Sequence, residues 1–120
     1  MSDWDESTPI YLQVRRRVLE RILQGAFSEG EAIPSVRQVA ADEKINPITV
    51  SKAYQLLVDE NLLEKRRGLG MFVTEGAQAL ALQQEREQFI DNEWPEILKR
   101  LASLDLDVSD LPQKAEGDHS

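Results

Sequence analysis

The chain has 120 residues, no cysteine, one histidine and a formal net charge of −8 at pH 7. Disulfides and thiolate metal sites are therefore excluded, and His119, alone in a polar tail, has no second histidine for a metal site or catalytic dyad. Nothing resembles a signal peptide or a membrane span, so a soluble, cytoplasmic protein with one small domain and an appendage is expected. The charge is uneven: −3 over residues 1–8, +1 over 9–75 and −6 over 76–120. A near-neutral centre between acidic ends keeps nucleic acid open as a partner, with weak non-specific binding and a moderate salt dependence.

Residues 1–8 form an acidic leader, expected to be flexible, in which Trp4 either tucks against the first helix or frays with the rest. Residues 9–24 read as an amphipathic helix. Ile10, Val14, Val18 and Ile22 recur every four residues, joined by Tyr11, Leu19 and Leu23, and Gly25 supplies a left-handed stop. Arg15, Arg16, Arg17 and Arg21 lie mainly off this stripe, either as phosphate contacts or as a solvated basic face. Residues 26–33 are a loop anchored by Phe27, with a turn signal at Glu29-Gly30.

Ser35 with Gln38 three residues on is a capping box, and Val36, Val39 and Ala40 give a short buried stripe. Residues 42–45 read as a turn. Asn46 is the next N-cap, Pro47 sits where a missing N–H costs nothing, and Ile45 and Val50 are spaced as a hydrophobic staple. Val50, Ala53, Tyr54, Leu57 and Val58 face inward; Ile48, Thr49, Ser51, Lys52 and Gln55 face outward. That outward face is nearly free of acid and rich in small hydrogen-bonding groups. Its short side chains let the backbone approach a major groove, with the N-terminal amides meeting phosphate; the alternative is an ordinary solvated face. Leu62 and Leu63 then lead into Glu64-Lys65-Arg66-Arg67-Gly68-Leu69-Gly70 and Met71-Phe72-Val73, a hairpin with a cationic tip whose glycines permit positive φ.

These residues resemble the winged helix-turn-helix domain of GntR-type bacterial transcription regulators. The matching pieces are Pro34-Ser35-x-Arg37, Asn46-Pro47-x-Thr49-Val50, Leu57-x-x-x-x-Leu62-Leu63 and Arg66-Arg67-Gly68-x-Gly70-x-Phe72-Val73, with Pro9-Ile10-Tyr11-x-Gln13 upstream. The likeness covers residues 9–74, and the short remainder looks like the YtrA branch of that family. It implies a short crossing strand near Ala32 and Ile33 that pairs with the wing. Many relatives carry glycine at Lys44 and Asn61, and arginine at Pro47 and Ser51. Base readout here must therefore lean on Thr49, Ser51, Lys52 and Gln55, with Ile48 available to a thymine methyl and a larger share left to phosphate positioning and DNA shape.

Beyond Gly76, residues 77–106 read as mostly helical. Ile90, Trp94, Ile97, Leu101 and Leu104 form a 4-3-4-3 seam that Phe89 and Leu98 widen, and Pro95 either kinks one helix or starts a second after a break near Asn92. Such a seam packs back on the domain or pairs with a second copy; the resemblance implies dimerisation. Residues 112–120 are expected to be disordered.

The expected fold is mainly α with a small β-hairpin wing: a flexible leader (1–8), a winged helix-turn-helix DNA-binding domain (9–75), a helical dimerisation tail (76–111) and a disordered end (112–120). No catalytic set is found; the Gly-rich wing lacks the Gly-Lys-Ser/Thr ending of a phosphate loop, so no enzyme, cofactor or metal is expected. The 45 residues after the wing are too few for an effector-binding or aminotransferase-like domain of the larger relatives, and no effector is named. The expected function is a dimeric repressor on inverted-repeat double-stranded DNA. Its DNA contacts would come from Ser35, Arg37, Asn46, Thr49, Ser51, Lys52, Arg66, Arg67 and Gly68, and its dimer contacts from Ile90, Trp94, Ile97, Leu98, Leu101 and Leu104. A winged-helix module that binds protein instead of DNA is the alternative, suited by the acidic total.

Overall fold

The structure is a computed structural model that describes residues 4–113. The expected disorder of the C-terminal end lies, from residue 114 on, outside the described residues, as do the first three residues of the leader. The chain divides into two compact units, Met1–Gln83 and Gln84–Ser120.

The first unit begins with α1, Ile10–Gln24, which buries Val14, Val18, Leu19 and Ile22 and ends at Gly25 with φ 81°. Ile10, expected in the buried stripe, is instead 37% exposed. It occupies the first turn, ahead of the buried row that starts at Val14. The helix α2, Val36–Glu43, opens with the Ser35 hydroxyl accepting the Gln38 N–H at 3.0 Å. The return bond of a full capping box is not seen among the described residues. Asp42 and Glu43, expected in a turn, are the last helical residues. What stops the helix is Lys44 at φ 58°, whose N–H reaches the Ala40 carbonyl, and not the polarity of the residues before it.

The helix α3, Pro47–Asp59, is capped by the Asn46 side chain, which accepts the Ile48 N–H at 2.8 Å, and has Pro47 in its first turn. Its inner row of Val50, Ala53, Tyr54 and Leu57 is buried, and Ile45 packs on the same core ahead of the cap. Asn61 at φ 67° then turns the chain, so that Leu62 donates its N–H to the Leu57 carbonyl and both Leu62 and Leu63 are buried. β1, Leu63–Arg66, and β2, Gly70–Val73, pair antiparallel, Leu63 opposite Val73 and Arg66 opposite Gly70. Ala32 bridges to Phe72, with Ile33 donating to the Met71 carbonyl and Val73 to that of Glu31. This single bridge stands where the family likeness implies a short crossing strand.

Leu19, Ile22, Val50, Tyr54, Leu57, Leu62, Leu63 and Val73 are the largest fully buried side chains. Each buried aliphatic side chain contributes about 1.5–3 kcal/mol, so this cluster holds α3 against α1 and the wing, with Ala40, Val36 and Val39 of α2 packed on the same core. A two-pronged ion pair adds direction: Arg15 gives Nε to Glu60 at 2.9 Å and a terminal nitrogen at 2.6 Å, tying the middle of α1 to the end of α3. The first unit also takes in the start of α4, Ala77–Gln88. Ala77 and Ala81 are in its core, and the Glu29 carboxylate accepts N–H bonds from Gly76 and Gln78, capping α4 from the opposite loop.

In the second unit the chain stays helical past Gln88, through a π turn, Phe89–Glu93, into α5, Trp94–Ser103. No break occurs at Asn92. Pro95, the second residue of α5, cannot donate, and its ring would crowd the carbonyl four residues back, at Asp91. The wider turn, in which Trp94 donates to the Phe89 carbonyl, relieves both problems. α5 ends with Asp105 at φ 59° and Leu106 donating back to Leu101. Asp107 then caps a short 3-10 turn, Val108–Asp110. No helix among the described residues is long and apolar enough to cross a membrane.

Candidate nucleic-acid interface

The outer side of α3 is open. Asn46, Pro47, Ile48, Ser51, Lys52 and Gln55 are exposed and Thr49 is half-buried. No carboxylate occurs between Asn46 and Gln55. Its first-turn amides are nevertheless spent. Asn46 Oδ1 takes the Ile48 N–H, Pro47 has none, and Thr49 and Val50 both donate to the Asn46 carbonyl at 2.9 and 3.3 Å. The expectation that these amides meet phosphate is therefore corrected. An anion here would have to be held by side chains, because the cap and the helix have consumed the backbone donors.

The cations sort into tied and free. Arg15 is held by Glu60, Arg16 pairs with Glu20 at 3.2 Å, and Arg17 pairs with Glu43 at 3.6 Å while its guanidinium lies 3.9 Å over the Trp4 ring. Arg21 lies over Phe27 at 5.6 Å. These four arginines, read from the sequence as phosphate contacts or a solvated basic face, instead engage groups of the protein itself. The Arg17 contact also places Trp4 against α1, and Asp5 donates its N–H to the Gln13 side chain. Two bonds from Ser7, first its backbone N–H and then its hydroxyl, hold the Asp5 carboxyl below its usual range.

Among the named interface residues, Lys52 is also engaged, its ammonium 4.0 Å above the Tyr11 ring. Arg66 is bound twice, to Glu64 at 2.7 Å and over Phe72 at 4.1 Å. Arg37, in the first turn of α2, and Lys65 and Arg67, on the wing, are exposed and have no hydrogen bond or ion pair among the described residues. At the tip, Leu69 donates to the Arg66 carbonyl at 2.8 Å, closing a tight turn for which Gly68 adopts φ 78°. Ser35, exposed, spends its oxygen on the α2 cap and keeps its hydroxyl hydrogen to give.

One buried residue on α3 was missed as a positioning group. The Tyr54 hydroxyl donates to the Pro34 carbonyl at 2.6 Å, joining α3 to the chain that enters α2. Burial pushes this phenol up to about 12. Its sequence signal was only that of a core residue. A phenol in a core row needs an acceptor, and that alone could have prompted the search.

In the second unit Ile90 is 60% exposed, Ile97, Leu98 and Leu104 are exposed, and Trp94 is half-buried with its ring 6.3 Å from that of Phe89. Leu101, expected in the same seam, is buried. No cluster of metal-ligating side chains occurs among the described residues.

Comparison with known proteins agrees with this architecture. The family described as bacterial regulatory proteins, gntR family, matches residues 10–73. The chain is 44% identical over 71 residues to the HTH-type transcriptional repressor YtrA of Bacillus subtilis (strain 168), a match covering 59% of this chain and 55% of that repressor's length. Among solved structures, a transcriptional regulator from Oenococcus oeni superposes with a TM-score of 0.72 at 27% identity, over 91% of this chain and 88% of that one. AraR(DBD) in complex with operator ORE1 superposes with a TM-score of 0.55 at 26% identity, over 62% of this chain and 93% of that one.

Proposed function

This chain belongs to the GntR family of bacterial regulatory proteins, and from that premise we propose that it is a cytoplasmic transcription regulator that binds double-stranded DNA as a dimer. The family is one of regulators and not of enzymes. The observation that carries the reading is the open outer side of α3, free of carboxylates from Asn46 to Gln55, followed by a wing whose Lys65 and Arg67 are free of partners among the described residues. A helix with such a face enters a major groove, and wing cations settle on the flanking phosphates or minor groove. YtrA of Bacillus subtilis, a repressor, and AraR(DBD), bound to an operator, support the same use of this domain.

In this reading Thr49 and Ser51 face the bases, Lys52, resting on Tyr11, lends its charge beside them, Asn46 and Ser35 give their free hydrogens to phosphate, and Arg37, Arg67 and the Gly68 backbone fix the register. Arg66 braces the wing from within. The exposed row of Ile90, Ile97, Leu98 and Leu104 with Trp94 pairs with the same row of a second copy, and the dimer represses by occluding a promoter at an inverted repeat. Selection of bound DNA from a random pool tests this. Recovery of a palindrome with two equal half-sites is expected, and a pool that enriches no sequence overturns the reading.

A further inference from the structure

We propose that Ile48 reads thymine: its aliphatic side chain packs against the C5-methyl group of a thymine in the major groove, so that an apolar contact is a specificity determinant of this protein. The proposal rests on the DNA-binding reading above. Ile48 is the second residue of α3, in the part of a recognition helix that reaches base edges first. It is 74% exposed, more than any other large hydrophobic side chain described. A single exposed isoleucine on a surface is ordinary; what distinguishes this one is the state of its polar neighbours.

The groups on this face able to fork onto a base are already engaged. The Gln55 amide donates to Asp59 at 2.9 Å, Asn46 spends its oxygen on the Ile48 amide, and the Lys52 ammonium rests on Tyr11. Ser51 and Thr49 can bond to several bases and discriminate weakly. Ile48 remains, left mostly uncovered by the described residues. In the major groove the thymine methyl is the aliphatic feature that separates an A·T pair from the others. An isoleucine suits it, because its β-branch limits χ1 and little rotamer freedom is lost on contact.

The test uses the full chain and a site recovered by selection, with each thymine replaced singly by deoxyuridine to delete the methyl group and nothing else. Wild-type protein is expected to lose about fourfold in affinity at one or more thymines, the equivalent of returning one methyl group to water. Ile48→Ala, a change on the surface that leaves the helical circular dichroism intact, is expected to bind thymine and uracil versions equally at those positions. The proposal is overturned if no single uracil changes wild-type affinity, or if Ile48→Ala keeps the full discrimination. Failure of the DNA-binding reading looks different: no sequence is enriched in the first place.

Discussion

The phenolic oxygen of Tyr54 lies 2.6 Å from the carbonyl oxygen of Pro34, 20 residues earlier in the chain. Pro34 immediately precedes Ser35, the cap of α2, and Tyr54 is in the middle of α3. One hydrogen bond therefore ties the middle of α3 to the start of α2, the two elements that carry most of the candidate contact residues.

Tyr54→Phe removes this donor and leaves the Pro34 carbonyl unpaired. A loss of about 1–2 kcal/mol in unfolding free energy is expected, measured by urea denaturation at neutral pH. The same bond has a pH signature. The folded phenol titrates at about 12, above its ordinary value of 10.0. Its contribution is thus complete below pH 10 and is lost as pH rises through the folded value, because the unfolded chain releases the proton first. Stability should fall more steeply above pH 10 in the wild type than in Tyr54→Phe; equal slopes would show that the phenol is not held by burial.

Lys44 ends α2 at φ 58°, a conformation that costs a residue with a side chain about 1–2 kcal/mol. Glycine removes that strain but gives back about 0.4–1 kcal/mol in the entropy of the unfolded chain. Lys44→Gly is expected to raise stability by about 0.5–1 kcal/mol, visible as a higher urea midpoint at unchanged slope. A lower midpoint would mean that the lysine side chain holds the turn.

On the wing the two adjacent arginines should behave differently. Arg67 is exposed and unengaged among the described residues, whereas Arg66 is held by Glu64 and stacked on Phe72. Arg67→Ala is expected to weaken specific DNA binding by about 1–3 kcal/mol and to lower the salt slope by about 1. Arg66→Ala should cost less in binding and more in hairpin stability. Gel-shift titrations at several salt concentrations separate the two, and an unchanged Arg67→Ala would remove the wing from the contact.

For the second unit, Leu98→Asp or Ile97→Asp places a charge on the exposed apolar row without touching a buried residue. Sedimentation should show monomers at concentrations where the wild type is dimeric, since an unpaired carboxylate at a packed interface costs several kcal/mol, on the order of the 3–5 kcal/mol of a broken buried pair. A dimer that persists in both variants would place the contact elsewhere. Leu101→Asp cannot serve, because Leu101 is already buried and its loss would disturb the fold itself.

What the sequence alone determined lies within a few residues along the chain. Ser35, Asn46 and Pro47 start helices, Gly25 stops one, and Gly68 and Gly70 shape the wing, because capping and positive φ are local matters of one side chain and the next turn. A repeat of four along α1 from Val14 on, and spacings of three and four along α3, marked the buried rows for the same reason.

Only the tertiary structure decided which of those local features are spent. Whether Arg15 meets phosphate or Glu60, Lys52 a base or Tyr11, and Glu29 water or the start of α4 depends on groups 41 to 49 residues away. Charged side chains are long and accept several partners, so their spacing along the chain does not choose among them. Folding brings one partner within reach and thereby selects which cations remain free.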